Sequence, residues 1–171
     1  MITIREERSS DLKTINEIND LAFGQPQEAL VINKIRASGA EILSLVAEID
    51  DRVVGHIFFS PAEIEYNDEK IVGMGLAPMA VLPEFQKKGI GKALINESLN
   101  ILNKKQTAFI IVLGHPAYYP KFGFERASKY GIKCQWQDVP DEAFMIMILN
   151  HDKMANVTGT AKYREEWNEA M

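Results

Sequence analysis

Hydrophobic residues recur at helical spacing in the first quarter of the chain. The stretch SSDLKTINEINDLAF carries apolar residues at every third position, which predicts a helix capped by Ser9 or Ser10. Its inward-facing positions are Leu12, Ile15, Ile18 and Leu21. A second helix is predicted over PQEALVINKIRASG, because Pro26 suits a helix start and Gly39 suits a helix end. Its inward-facing positions are Leu30, Val31 and Ile35.

Shorter apolar stretches predict strands. ITIR opens the chain, and ILSLVAEID and VVGHIFFSP on either side of DDR predict a hairpin. After the turn residues NDEK, IVGMGLAPMAVLP predicts a long fourth strand. Pro78 indicates a bulge or an edge in that strand, because proline cannot donate a ladder hydrogen bond. A helix from Gly89 to about Lys104 follows, then a buried fifth strand, AFIIVLG, and shorter strands of which DEAFMIMIL is the clearest.

This order of elements predicts an α/β fold of the mixed, α+β kind. Two antiparallel strand pairs precede a strand–helix–strand crossover, so we expect a central, mostly antiparallel sheet flanked by helices. A chain of 171 residues with no recognisable linker is expected to form a single domain.

Composition narrows the classes of partner. With 19 basic and 24 acidic residues the net charge is −5, which argues against general nucleic-acid binding. No apolar run is long enough to span a membrane, and the N-terminus does not resemble a leader. The single cysteine, Cys134, fits a reducing cytoplasm. We expect no metal, because the histidines are widely scattered at positions 56, 115 and 151.

The stretch PEFQKKGIGKAL combines lysines with glycines where a strand leads into a helix. A helix start leaves backbone N–H groups unpaired, and the helix dipole is positive there. Glycines let the backbone approach an anion, and Lys87, Lys88 and Lys92 add positive charge. This pattern predicts a phosphate site.

Two common nucleotide motifs do not fit this stretch. A P-loop requires glycine where Gln86 stands and serine or threonine where Ala93 stands. A dinucleotide fingerprint requires a third glycine where Leu94 stands. The remaining pattern is Gln-x-x-Gly-x-Gly directly after a strand.

The stretch MAVLPEFQKKGIGKALI resembles the acetyl-coenzyme A motif of the GNAT N-acetyltransferase superfamily, Gln/Arg-x-x-Gly-x-Gly/Ala after a strand. Downstream, VLGHPAYYPKFGF resembles the second landmark of that superfamily, because Tyr119 stands four residues before Gly123. With VVGHIFFSP and VPDEAFMIMIL, these stretches are similar to the bacterial YhbS-like subgroup. The resemblance covers Ile2 to Leu149. It implies one N-acetyltransferase domain over residues 1–171, with a core over 2–149 and a C-terminal extension over 150–171.

The resemblance implies a GNAT fold, with a sheet splayed between the fourth and fifth strands, and acetyl-coenzyme A as co-substrate. The pantetheine arm would pair with the fourth strand, the pyrophosphate would lie on the following loop, and a tyrosine would form a wall. The implied cofactor-binding residues are Met79, Ala80, Val81, Gln86, Lys87, Lys88, Gly89, Ile90, Gly91, Lys92 and Tyr118.

The chemistry implied by the resemblance is acetyl transfer by direct attack of an amine in a ternary complex. Tyr119 is the expected general acid, and a backbone N–H near Val81 the expected oxyanion donor. His115 is preferred over His56 as the base, because a histidine on an apolar strand is usually a core residue. A water molecule remains an alternative base. Cys134 is expected to be an inert thiol.

The expected enzyme is an acyltransferase that transfers groups other than aminoacyl groups. Its partners would be acetyl-coenzyme A and an amine of a small molecule or peptide, with no nucleic acid and no membrane. It would be a monomer or homodimer in a bacterial cytoplasm. An acyl-coenzyme A-binding sensor or interaction module with little or no catalysis is the alternative, since the fourth strand from Met74 to Val81 carries no acidic side chain.

Overall fold

The computed structural model describes residues 1–171 and divides them into two compact units. The first unit comprises Met1–Ser60, Ala77–Ile101 and Glu165–Met171, and the second comprises Pro61–Leu76 and Leu102–Arg164. The assignment of the whole chain to one domain stays a prediction. None of the helices combines the length and the apolar character needed to cross a membrane.

Nine strands and four α-helices make up the regular structure. The strands are β1 (Ile2–Glu6), β2 (Leu43–Ile49), β3 (Arg52–Tyr66), β4 (Glu69–Val81), β5 (Phe109–Leu113), β6 (Glu125–Arg126), β7 (Ile132–Cys134), β8 (Phe144–Ile148) and β9 (Gly159–Lys162). The helices are α1 (Leu12–Phe23), α2 (Gln27–Ala37), α3 (Ile90–Lys104) and α4 (His151–Met154).

In the first unit, the sheet has the strand order β1-β2-β3-β4. β1 pairs with β2 and β2 with β3, both antiparallel. The turn between β2 and β3 consists of Asp50 and Asp51, with φ of 50° and 62°. Two left-handed residues form the type of two-residue turn whose twist matches that of a hairpin, so the predicted hairpin at DDR is confirmed.

Helices α1 and α2 bury apolar stripes that differ in part from the predicted ones. Ile15, Ile18 and Ile35 are buried as predicted, but Leu21 and Leu30 are 62% and 54% exposed. After Ile18, the next buried residue of α1 is Asn19, which is fully buried, and not Leu21, which lies three residues further along. Because a helix turns by 3.6 residues, steps of three alone drift off its buried face.

The predicted serine cap of α1 is wrong. Ser9–Asp11 form a short 3-10 turn, and α1 begins after it at Leu12. The Asp11 carboxylate accepts a hydrogen bond from the Arg8 backbone N–H at 2.6 Å and from the Arg5 guanidinium at 2.7 Å. An aspartate paired with an arginine therefore organises this helix start.

The second unit contains the parallel part of the sheet. Met74–Leu76 of β4 pair with Ile110–Val112 of β5 in parallel register, and β5 pairs antiparallel with β8 along its whole length. β9, from the C-terminal extension, pairs antiparallel with β3 and parallel with β7. The C-terminal extension therefore contributes a strand of its own, over Gly159–Lys162.

Candidate functional site

The segment between β4 and α3 in the first unit has a backbone suited to an anion. Lys87 and Gly89 both adopt left-handed backbone angles, with φ of 62° and 84°. The Gly89 carbonyl accepts from the Ala93 N–H at 3.0 Å, so Gly89 immediately precedes the first turn of α3. The helix begins at Ile90, one residue later than predicted, because the left-handed φ of Gly89 is incompatible with an α-helix.

This loop is positively charged and anchored to the strand before it. Lys87, Lys88 and Lys92 are exposed, and the Lys88 ammonium lies 5.4 Å from the centre of the Phe85 ring. The Gln86 side chain donates a hydrogen bond to the Val81 carbonyl at 3.1 Å. This contact closes the loop onto the last residue of β4. The N–H groups of the first helical turn have no acceptor within the helix.

In the second unit, β5 leads into a turn that carries Tyr118 and Tyr119. The His115 carbonyl accepts from their backbone N–H groups at 3.1 and 3.4 Å, while the His115 side chain is exposed. The structure thus brings His115, Tyr118 and Tyr119 together in one turn. The Tyr118 ring contacts the Tyr119 ring edge-on at 5.3 Å, and burial raises the pKa of Tyr118.

The Tyr119 side chain is packed against the end of β5. It is 8% exposed and lies edge-on to Phe124 at 5.7 Å. A Cβ atom on Gly114 would lie 2.4 Å from the Tyr119 ring, so only glycine permits this contact. Burial, together with the neighbouring Tyr118, raises the pKa of Tyr119 to about 12. The phenol is therefore protonated near neutral pH.

His56 lies in the core of the first unit and is fully buried. Its Nε2 is 2.9 Å from Ser44 Oγ, and its Nδ1 is 3.2 Å from Asn19 Nδ2. Burial, with a smaller effect of the Arg36 charge, lowers the pKa of His56 to about 3. A neutral, enclosed imidazole cannot reach a substrate. His115 and water are therefore the two remaining candidates for the general base.

Sequence reasoning missed Tyr163, which follows β9 in the second unit. Its hydroxyl donates to the Leu76 carbonyl at 2.9 Å, and its side chain is buried. The one sequence signal that bears on it is Gly75, where a Cβ atom would lie 2.5 Å from the Tyr163 ring. A glycine at position 75 does not by itself indicate which residue it contacts, because Tyr163 lies far away in the sequence. Cys134 is half-buried in β7, and burial raises the pKa of its thiol.

Comparison with known proteins agrees with these features. Residues 3–127 match the family model described as an acetyltransferase (GNAT) domain. The chain is 34% identical over 166 residues to the uncharacterized N-acetyltransferase YhbS of Escherichia coli K12, covering 96% of this chain and 98% of that one.

Two solved structures are similar over nearly the whole chain. A crystal structure of YhbS from Escherichia coli in complex with CoA has a TM-score of 0.90 and 33% identity, covering 98% of this chain and 92% of that one. A GNAT acetyltransferase from Brucella melitensis in complex with acetyl-CoA has a TM-score of 0.79 and 32% identity, covering 98% of both chains. These matches confirm the predicted mixed sheet with flanking helices.

Proposed function

Because this chain belongs to the GNAT family and is an N-acetyltransferase, we propose that it moves the acetyl group of acetyl-coenzyme A to an amine of a small molecule or peptide. The observation that carries this proposal is the loop before α3, whose left-handed Lys87 and Gly89 precede a helix start flanked by lysines. Relatives that share about a third of the sequence bind CoA or acetyl-CoA.

The pyrophosphate of the coenzyme is assigned to the loop and first turn from Lys87 to Lys92. The backbone N–H groups there would donate to phosphate oxygens, and the helix dipole adds favourable potential. Gln86 contributes indirectly, because its side chain bonds the Val81 carbonyl and holds the loop against the strand. The lysine ammonium groups supply long-range attraction that salt would screen.

The pantetheine arm is assigned to the last residues of β4, Met79, Ala80 and Val81. An extended, amide-rich arm can pair with strand backbone in the way that a peptide adds to a sheet edge. Tyr118 is assigned as a wall of the coenzyme site, a role that its half-buried ring can fill. These assignments are the same as those predicted from the sequence.

The reaction proposed is direct attack. The amine nitrogen attacks the thioester carbonyl carbon, the carbonyl oxygen gains negative charge near the Val81 N–H, and the carbon–sulfur bond then breaks. The amine gives up its proton to His115 or to water, and the leaving thiolate takes one from Tyr119. The raised pKa of Tyr119 keeps its proton in place before transfer.

The remaining partners follow from this assignment. The acceptor is an amine that must reach the thioester as the neutral base. We place the enzyme in a bacterial cytoplasm, where acetyl-coenzyme A is available and a half-buried thiol such as Cys134 remains reduced. A monomer or a homodimer would serve this chemistry.

The test is thiol release from acetyl-coenzyme A in the presence of a panel of amines, with products identified by mass spectrometry. Tyr119→Phe should lower turnover at least about tenfold while leaving acetyl-coenzyme A affinity nearly unchanged. Tyr130→Phe is the matched control, because it removes a hydroxyl that bonds Glu125 at the surface at 2.5 Å. Binding without turnover for every amine would instead favour the sensor function.

A further inference from the structure

The Tyr163 hydroxyl lies where β4 and β5 stop pairing in the second unit. It donates to the Leu76 carbonyl at 2.9 Å and is 3.3 Å from the Ile111 carbonyl. Leu76 and Val112 form the final residue pair of the parallel register. A phenol has one proton, so the shorter contact is the principal bond and the longer one shares the donor.

A third backbone group also reaches this hydroxyl. The Leu113 backbone makes a hydrogen bond to it that lowers the pKa of Tyr163, which identifies the Leu113 N–H as the donor. Tyr163 therefore accepts from β5 and donates to β4 at the end of their ladder. A hydroxyl suits this place because it is donor and acceptor at once.

The Tyr163 ring is held in place by its surroundings. Gly75 leaves room for it on the sheet, since a Cβ there would approach the ring to 2.5 Å. The Trp136 ring stacks on it at 5.6 Å with an interplanar angle of 25°. The Tyr163 backbone N–H donates to Gln135 Oε1 at 2.6 Å. The hydroxyl is thus carried by a ring that these contacts hold in place, on a residue that is only 6% exposed.

We propose that Tyr163 is a positioning residue for acetyl transfer, one that ties β4 to β5 at the place where their pairing ends. The inference rests on the proposed function. From Leu76 the chain continues into the strand residues assigned to the pantetheine arm. From Leu113 it continues through Gly114 into the turn that carries Tyr119. One hydroxyl therefore fixes the backbone from which both segments start.

The contacts of the Tyr163 hydroxyl also argue that Tyr119, and not Tyr163, is the general acid. The Tyr163 hydroxyl is engaged with backbone groups on both strands, and burial raises its pKa further from neutrality than that of Tyr119. The charge of an ionised Tyr119 would raise it again, so the two phenols are near enough to interact. Tyr163 holds geometry while Tyr119 supplies the proton.

The test compares Tyr163→Phe with Tyr130→Phe in the full chain. Tyr163→Phe keeps the ring over Gly75 and removes only the hydroxyl. We expect acetyl-coenzyme A turnover, measured as thiol release, to fall about ten- to a hundredfold, because small misplacements of reacting groups cost rates of that order. The shape of its pH–rate profile should match the wild type. Amide exchange at Leu113 should quicken about tenfold. Tyr130→Phe should change none of these.

Three results would overturn the proposal. They are unchanged turnover in folded Tyr163→Phe, unchanged Leu113 exchange, or a pH–rate profile that loses its alkaline limb, which would make Tyr163 a proton donor. If Tyr163→Phe does not fold, Trp136→Phe loosens the ring but keeps the hydroxyl. It should then show a smaller loss of turnover and faster Leu113 exchange, and no change would refute the positioning role. A wild type that neither binds nor turns over acetyl-coenzyme A would refute the proposed function itself, and with it the role in transfer, whatever Leu113 exchange shows.

Discussion

The buried His56 should make the first unit sensitive to acid. Its imidazole can be placed as a single neutral tautomer, because Ser44 Oγ donates to Glu7 and so must accept from His56 Nε2. His56 Nδ1 then accepts from the Asn19 amide, whose orientation is fixed by a second bond to the Ile15 carbonyl at 2.9 Å. A proton on Nδ1 would face a donor, and the resulting charge would be fully buried.

The magnitude follows from linkage. The pKa of His56 is about 3 in the folded protein and about 6.5 when the chain is unfolded. Because the unfolded state binds the proton more readily, stability is complete above about pH 6.5 and is lost as the pH falls towards 3. At about 1.36 kcal/mol per pH unit, the free energy of unfolding should drop by about 2.7 kcal/mol between pH 7.5 and pH 4.5.

The assay is urea unfolding of the wild type and His56→Gln at those two pH values. Glutamine can keep hydrogen bonds to Ser44 and Asn19 but does not titrate, so the acid-labile part of stability should be smaller in the variant by about 2.7 kcal/mol. Carboxylates, such as Asp11, whose pKa is lowered by Arg5, contribute equally to both proteins and cancel. Equal acid sensitivity of the two proteins would show that His56 is not held neutral by the fold.

Three further outcomes are expected. Gly89→Asp should abolish acetyl-coenzyme A binding in calorimetry, because it places a carboxylate at a left-handed backbone position beside the assigned pyrophosphate. The control variant Lys105→Glu, directly after the last residue of α3, should bind acetyl-coenzyme A normally. Ile32→Ala should cost about 2–5 kcal/mol in urea unfolding, whereas Leu30→Ala on the exposed side of α2 should stay within about 0.5 kcal/mol. Gly75→Ala should lower the free energy of unfolding by about 1–3 kcal/mol, and the melting temperature by several degrees, because the new Cβ collides with the Tyr163 ring. The first expectation is contradicted if Gly89→Asp still binds acetyl-coenzyme A. The second is contradicted if both α2 variants lose the same free energy of unfolding, and the third if Gly75→Ala melts at the wild-type temperature.

Local chemistry in the sequence predicts local structure well in this chain. The aspartate pair at 50–51 forms the predicted hairpin turn because both residues tolerate left-handed angles. The glycine after two lysines marks the start of α3 to within one residue, because only a few residue types adopt the φ that Gly89 needs. Tyr119 and Gly123, whose spacing forms the second landmark of the resemblance, lie in one local structure: a 3-10 helix begins at Tyr119 and ends before Gly123, whose φ is 104°.

Features that depend on distant parts of the chain were not predictable in this way. Leu21 and Leu30 fit an apolar period, yet both are exposed, because tertiary packing buries a different stripe of each helix. The pairing of β9 with both β3 and β7 joins segments far apart in sequence, and no local period encodes it. The position of Tyr163 depends on that pairing, so its hydroxyl contacts with β4 and β5 had no signal strong enough to read in advance.

Acetyl-coenzyme A binding tests the central claim most directly. Thermal melting of the wild type with and without acetyl-coenzyme A, with ATP and NAD as controls, should show stabilisation by acetyl-coenzyme A alone. At a ligand concentration about a hundred times the dissociation constant, the gain is about 2.7 kcal/mol, which is a shift of several degrees for a chain of this size. No shift in a folded sample, or an equal shift with ATP, would mean that the loop before α3 is a helix start without a coenzyme site.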